Sequence, residues 1–158
     1  MPEIKTNVMR ILEQHKIPYT AHEYPHGKEA IDGVTVAGLL NQPLEQVFKT
    51  LVARGKGGCY VFVVPVAAEL DLKKAAKAVG EKSVEMLHVK ELLGLTGYVR
   101  GGCSPVGMKK AFPTVFDQSA EAIPSIMVSA GKIGFQIETK PADLIALVRG
   151  KTADITMR

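Results

Sequence analysis

Cysteine is scarce in this sequence: Cys59 and Cys103 are the two residues of that type among 158. They form no CxxC pair, and neither spacing reads as a zinc site. Two thiols suit a reducing compartment, so a cytoplasmic protein is expected. No apolar run approaches the roughly 18 residues that a membrane helix needs. The opening stretch MPEIKTNVMRILEQH lacks an apolar h-region, so no signal peptide is expected either. Internal repeats and low-complexity linkers are missing too, which leaves one domain over residues 1–158 as the expectation. No Ser-His-Asp or Cys-His constellation and no cluster of metal ligands is visible, so no cofactor is expected.

What is present describes a globular chain. Hydrophobic residues make up 46% and charged residues 23%. A domain of this length buries about 70% of the surface its unfolded chain exposes, enough to fold without disulfide or metal. The formal net charge of +4 is a mild attraction to polyanions, which an incidental excess of lysine would equally produce.

The pattern along the chain mixes helices and strands. Thr6 can cap a first helix carrying Val8, Ile11, Leu12 and His15 at helical spacing, with Pro18 ending it. Residues 19–24 alternate as a short strand, a polar loop follows to Gly33, and a short helix covers Thr35 to Leu40. Val47 to Ala53 and Cys59 to Pro65 flank a glycine turn and read as a hairpin. Both faces of both strands are largely apolar, which places the hairpin inside a sheet. Asp71 can cap a helix from Leu72 to Val79 that closes on Gly80. Beyond it come a strand at 83–87, a helix at 89–93, strands near 114–116, 125–129 and 135–139, and a helix from Pro141 to about Val148. This order predicts an α+β, or mixed α/β, domain with one curved central sheet.

Lys49 is the most informative residue. It lies in a strand apolar on both faces, between Phe48 and Thr50. A lysine there snorkels to a rim, discourages edge pairing, or faces a cleft where it binds a carboxyl, carbonyl or phosphate. Gly101-Gly102-Cys103-Ser104-Pro105-Val106-Gly107 is a second signal. Its glycines and proline exclude regular structure, and the N–H groups of Gly102, Cys103 and Ser104 could form a nest for an oxyanion, though a plain tight turn reads the same way. Cys103 lacks a histidine nearby in sequence, which argues against a nucleophile. The turn Ser129-Ala130-Gly131-Lys132 could add backbone donors, and Lys73 and Lys77 share one helix face that could touch phosphates or simply be solvated.

Several ordered segments together carry a family resemblance. They are Thr6-Asn7, Ile17-Pro18-Tyr19, His22-Glu23-Tyr24, Val47-Phe48-Lys49-Thr50-Leu51, Leu72-Lys73-Lys74-Ala75-Ala76-Lys77, Lys82 to Met86, Gly97 to Gly107, and Ser129 to Lys132 with Pro141 to Leu144. In this order, over nearly the whole chain, they resemble YbaK/EbsC-type proteins, the free-standing relatives of the editing domain inserted in bacterial prolyl-tRNA synthetases. The resemblance implies a barrel-like mixed sheet surrounded by helices. It implies deacylation of mischarged tRNA, with cysteine on proline tRNA as the substrate. Lys49 matches the family's essential lysine, and Gly101, Gly102, Cys103, Ser104 and Pro105 match its GxxxP loop. Tyr24 matches a pocket tyrosine, Asp143 is carried over as well, and Ser129 and Gly131 belong to the second turn, where many relatives have glycine at the position of Ala130.

The implied chemistry explains the missing nucleophile. A pocket built for proline cannot sterically exclude cysteine or alanine, so a second site must reject them after attachment. The substrate's own thiol would attack its ester carbonyl and release a thiolactone, while Lys49 and the loop amides stabilise charge. Two alternatives stay open: water-dependent deacylation of another small amino acid such as alanine, and a non-catalytic tRNA-binding module. Mild charge implies weak intrinsic tRNA affinity, so a prolyl-tRNA synthetase that holds the tRNA would supply effective concentration.

Overall fold

The computed structural model describes residues 5–27 and 31–157. Among them are five α-helices, α1 (Asn7–Gln14), α2 (Gly33–Leu39), α3 (Leu72–Ala78), α4 (Val89–Thr96) and α5 (Pro141–Leu147). The strands are β1 (Thr20–Glu23), β2 (Phe48–Gly55), β3 (Gly58–Pro65), β4 (Glu85–Met86), β5 (Thr114–Asp117), β6 (Ile126–Ser129), β7 (Phe135–Thr139) and β8 (Lys151–Ala153).

Local chemistry sets most element ends. Thr6 caps α1, its hydroxyl accepting from the Met9 amide at 3.2 Å. Asp71 caps α3 by accepting from the amides of Lys73 and Lys74. Asp32 caps α2, so that helix starts two residues earlier than the Thr35 expected from the pattern. The first helix stops at Gln14 with Lys16 at φ 58°, before Pro18 is reached. The hairpin turn is Lys56-Gly57, and the Glu81 carboxylate pins it by accepting both turn amides and the Tyr60 hydroxyl.

The mixed α+β class is as expected, but the single curved, barrel-like sheet is not what forms. The strands make two sheets, β1-β7-β6 and β4-β2-β3-β5-β8, and they do not close into a barrel. A parallel bridge between Val47 and Met127 joins them. In the larger sheet β3 runs antiparallel to β2 and parallel to β5, and β5 runs parallel to β8. The strand β8, absent from the sequence pattern, has only three residues and takes its register from β5.

The main core fills the space between the sheets. Phe48, Val61, Val63 and Phe116 of the larger sheet face Ile126, Val128, Phe135 and Ile137 of the smaller one, with Leu12 of α1 and Leu144 of α5 at the sides. Each such buried side chain contributes about 1.5–3 kcal/mol. Ala53, Phe62, Val64 and Ile155 form a second cluster under Ala75 and Ala76 of α3. The hairpin's central position is thus confirmed: residues 61–64 of β3 are 0% exposed on both faces. On the far side of the smaller sheet, Met127 packs with Ala37 of α2, Val47 and Val66. That third cluster closes one end of a cleft at the junction of the two sheets.

Candidate functional site

The alternation of β7 decides what the cleft receives. Phe135, Ile137 and Thr139 turn one way, toward the main core, and Gln136 and Glu138 turn the other. Gln136 pairs across with Ser129 of β6 on one side and His22 of β1 on the other. Gln136 and Ser129 therefore line the cleft together, with Tyr24, which follows β1. From the larger sheet come Lys49 and Thr50 of β2. The cleft holds about 630 Å³, within the range of small-molecule sites and far more than a cysteinyl or alanyl group needs.

Lys49 is half-buried and makes no hydrogen bond or ion pair with any described residue. It lines the cleft, the arrangement that the third reading of the pattern requires. The Gln136 side chain is 6% exposed, and its Oε1 has no hydrogen-bond partner among the described residues. Thr50 Oγ1 is likewise buried and unpaired. An unpaired buried acceptor costs about 1–3 kcal/mol, and a cleft that keeps Gln136 Oε1 unpaired is prepared for a polar guest.

The glycine loop supplies the third side. Val99 to Gly102 is a turn closed by the Gly102 amide donating to the Val99 carbonyl at 3.0 Å. Gly101 has φ 85°, a conformation that favours glycine at that corner. Gly102 stands directly against the second turn, where an added Cβ would lie 3.1 Å from the Ile133 nitrogen. The Gly102 N–H is therefore committed within the turn and Ser104 is 0% exposed, so the expected nest of Gly102, Cys103 and Ser104 does not form as a unit. Gly101 and Cys103 line the cleft instead, and their amides have no acceptor among the described residues.

Of the residues expected at the site, Lys49, Tyr24, Gly101, Cys103 and Ser129 line one cleft. Gly102, Ser104, Pro105 and Gly131 stand behind it: Ser104 Oγ accepts from the Val106 amide, and the Gly131 amide donates to Ser129 Oγ at 3.1 Å. Asp143 is not a cleft residue. It sits in the first turn of α5, a helix that packs Leu144 into the main core and lies against residues 118–122. The residues that sequence reasoning missed are Gln136, Thr50, Arg100 and the wall formed by α2. Gln136 carried no such signal as Lys49: its strand reads Phe-Gln-Ile-Glu-Thr, a plain alternation in which a glutamine looks like an ordinary polar-face residue.

Cys103 is 7% exposed, and burial pushes its thiol up to about 12, only partly offset by a hydrogen bond with the Thr96 side chain. It is protonated at neutral pH and is a poor nucleophile there. Beside the cleft, Glu138 accepts from Ser125 Oγ at 2.5 Å and pairs with His22 Nε2 at 2.8 Å. The serine is bonded to the acid and not to the histidine, so this trio lacks the order of a nucleophilic triad. The Ser125 hydrogen bond, with His22 next, holds the Glu138 carboxyl below the usual glutamate range.

A two-sheet α+β fold thus sets a lysine, two amides without acceptors among the described residues and an unpaired amide oxygen around one cleft. Residues 29–147 match the aminoacyl-tRNA editing domain family, and the chain belongs to it. The chain is 50% identical over 155 residues to the Enterococcus faecalis protein named “Putative Cys-tRNA(Pro)/Cys-tRNA(Cys) deacylase EbsC”, covering 98% of this chain and 94% of that one. It is 35% identical over 75 residues to the proline–tRNA ligase of Thermosipho africanus, a match spanning 48% of this chain and 13% of the ligase. A crystal structure described as a “putative trans-editing enzyme for prolyl tRNA synthetase” superposes with TM-score 0.83 at 27% identity, covering 96% of this chain and 95% of that one.

Proposed function

We propose that this protein is a cytoplasmic, single-domain deacylase that clears mischarged tRNA in trans, with cysteine on proline tRNA as its preferred substrate. The observation that carries the reading is Lys49: a cation with no partner among the described residues, in the same cleft as the unspent amides of Gly101 and Cys103.

The reaction needs little from the protein beyond placement and charge stabilisation, because the aminoacyl ester is already activated. The substrate thiol sulfur attacks the ester carbonyl carbon, and the oxygen gains negative charge. Lys49 and the two amides stabilise that oxyanion. The C–O bond to the ribose then breaks, the thiol proton ends on the ribose hydroxyl, and the amino acid leaves as a four-membered thiolactone that water opens. Gln136 Oε1 accepts from the substrate's ammonium group, and Tyr24 and Ser129 complete the wall around the side chain. The cleft is sized for the aminoacyl end, so a prolyl-tRNA synthetase that presents its own tRNA would supply selectivity for the rest of the tRNA.

The test is amino acid release from proline tRNA charged with cysteine, alanine or serine. Fast release of cysteine alone supports the reading. Fast release of alanine would replace it with water-dependent deacylation, and no release from any of the three would leave a binding module.

A further inference from the structure

Among the described residues, the charged groups lining the cleft are Asp32, Lys49 and Arg100. Asp32 is spent: its carboxylate caps α2, accepting from the Thr35 amide at 3.1 Å and from the Thr35 hydroxyl at 2.6 Å. Lys49 is half-buried within the cleft, and Arg100 is exposed at its mouth. Arg100 makes no hydrogen bond or ion pair with any described residue. Two cations of different depth are thus left without an anion among the described residues.

An aminoacyl ester at a tRNA 3′ end accounts for both. Its carboxyl is esterified and its amino group is positive, so its stable negative charges are phosphates. The reacting carbonyl develops charge only in passing, deep in the cleft where Lys49 stands. An exposed arginine would repel the substrate ammonium and so belongs on the nucleotide side. The cleft's spare volume admits the terminal ribose and base, which brings the 5′-phosphate of that nucleotide to the mouth.

We infer that Arg100 is the subsite for the phosphate on the 5′ side of the terminal adenosine, an inference that rests on the deacylase reading. Its backbone is already fixed. It occupies the second position of the turn closed by Gly102 and Val99, and Gly102 is buttressed by the backbone of Lys132 and Ile133. A guanidinium matches two phosphate oxygens at once, and little backbone order remains to be lost on binding. The next residue is Gly101, whose amide serves the reacting carbonyl. One turn therefore sets the distance between phosphate and ester, which makes Arg100 a positioning residue for the 3′ end.

The experiment compares two minimal substrates under single-turnover conditions: the 3′-cysteinyl esters of adenosine and of adenosine 5′-phosphate. They differ only in the phosphate. The wild-type protein should prefer the phosphorylated ester by roughly tenfold or more in kcat/KM, the scale of a charge-assisted contact. In Arg100→Ala the preference should collapse toward one, and Arg100→Lys should keep part of it. With intact cysteinyl-tRNA, the slope of log kcat/KM against log salt should fall by about 0.7 in Arg100→Ala, the value for one single-strand phosphate contact. No phosphate preference in the wild type, or the same preference in Arg100→Ala with an unchanged unfolding midpoint, overturns the subsite. Failure of the wild type to cleave either ester and charged tRNA alike would instead remove the deacylase reading.

Discussion

Lys49 and Gln136 line the same cleft from different sheets, Lys49 from β2 of the five-stranded sheet and Gln136 from β7 of the three-stranded one. The sheets are joined beside them by the bridge between Val47 and Met127. The cleft therefore brings together a cation and an unpaired acceptor from two sheets, suited to the two ends of one aminoacyl group: its carbonyl oxygen and its ammonium.

Lys49→Ala should lower turnover on cysteinyl-tRNA by roughly two or more orders of magnitude, the scale of losing one charge-stabilising group. The side chain is half-buried and holds no partner among the described residues, so the unfolding midpoint should hardly move. Near wild-type deacylation by this variant would remove Lys49 from the chemistry.

Gln136→Met should separate function from stability. It removes an acceptor that is buried and unpaired, so thermal unfolding should be unchanged or shifted upward. Activity should fall by roughly tenfold or more, the value of a hydrogen bond to a charged group. A stability loss accompanied by full activity would show that Gln136 serves the sheet and not the substrate.

Cys103→Ala should keep most of the activity. The thiol is buried and pushed up to about 12, so it does not supply a thiolate at neutral pH. Deacylation rate and unfolding curve measured together decide this. Lost activity with an unchanged curve would make Cys103 a nucleophile.

Seryl and cysteinyl esters have nearly the same size, but a hydroxyl is a much weaker nucleophile than a thiol. Cysteine-charged tRNA should therefore be cleared rapidly and serine-charged tRNA slowly. Mass spectrometry should find a thiolactone before free cysteine. Equal rates, with free cysteine as the sole early product, would point to activated water.

Glu138 predicts a pH effect with a defined sign. Its carboxyl is held below the usual glutamate value of 4.5 in the folded protein, first by Ser125 and then by His22. The stability it contributes is present above that unfolded value and is lost as pH falls through the lower folded one. Glu138→Gln should therefore flatten the acid limb of the stability curve measured by chemical denaturation between about pH 5 and 2. An acid limb identical to wild type would mean that the Ser125 and His22 contacts do not discriminate between the two protonation states.

The sequence by itself determined the elements that depend on neighbours along the chain. The caps at Thr6 and Asp71, the hairpin around Lys56-Gly57 and the doubly apolar β3 were all legible, because capping, turn geometry and burial on both faces leave local patterns. Lys49 and the glycine loop stood out for the same reason. Tertiary structure alone decided what faces them. Only pairing of β7 with β1 and β6 sets Gln136 beside Ser129 and His22, and only the packing of α2 on Met127 and Val47 builds the opposite wall. The split into two sheets and the placement of β8 beside β5 were hidden likewise, since a three-residue strand carries no period of its own. Asp143 shows the converse: nothing local reveals that α5 docks on residues 118–122 while Asp143 stays outside the cleft lining. Cross-strand register and helix docking are settled by the total apolar surface buried between distant segments, a quantity no local pattern contains.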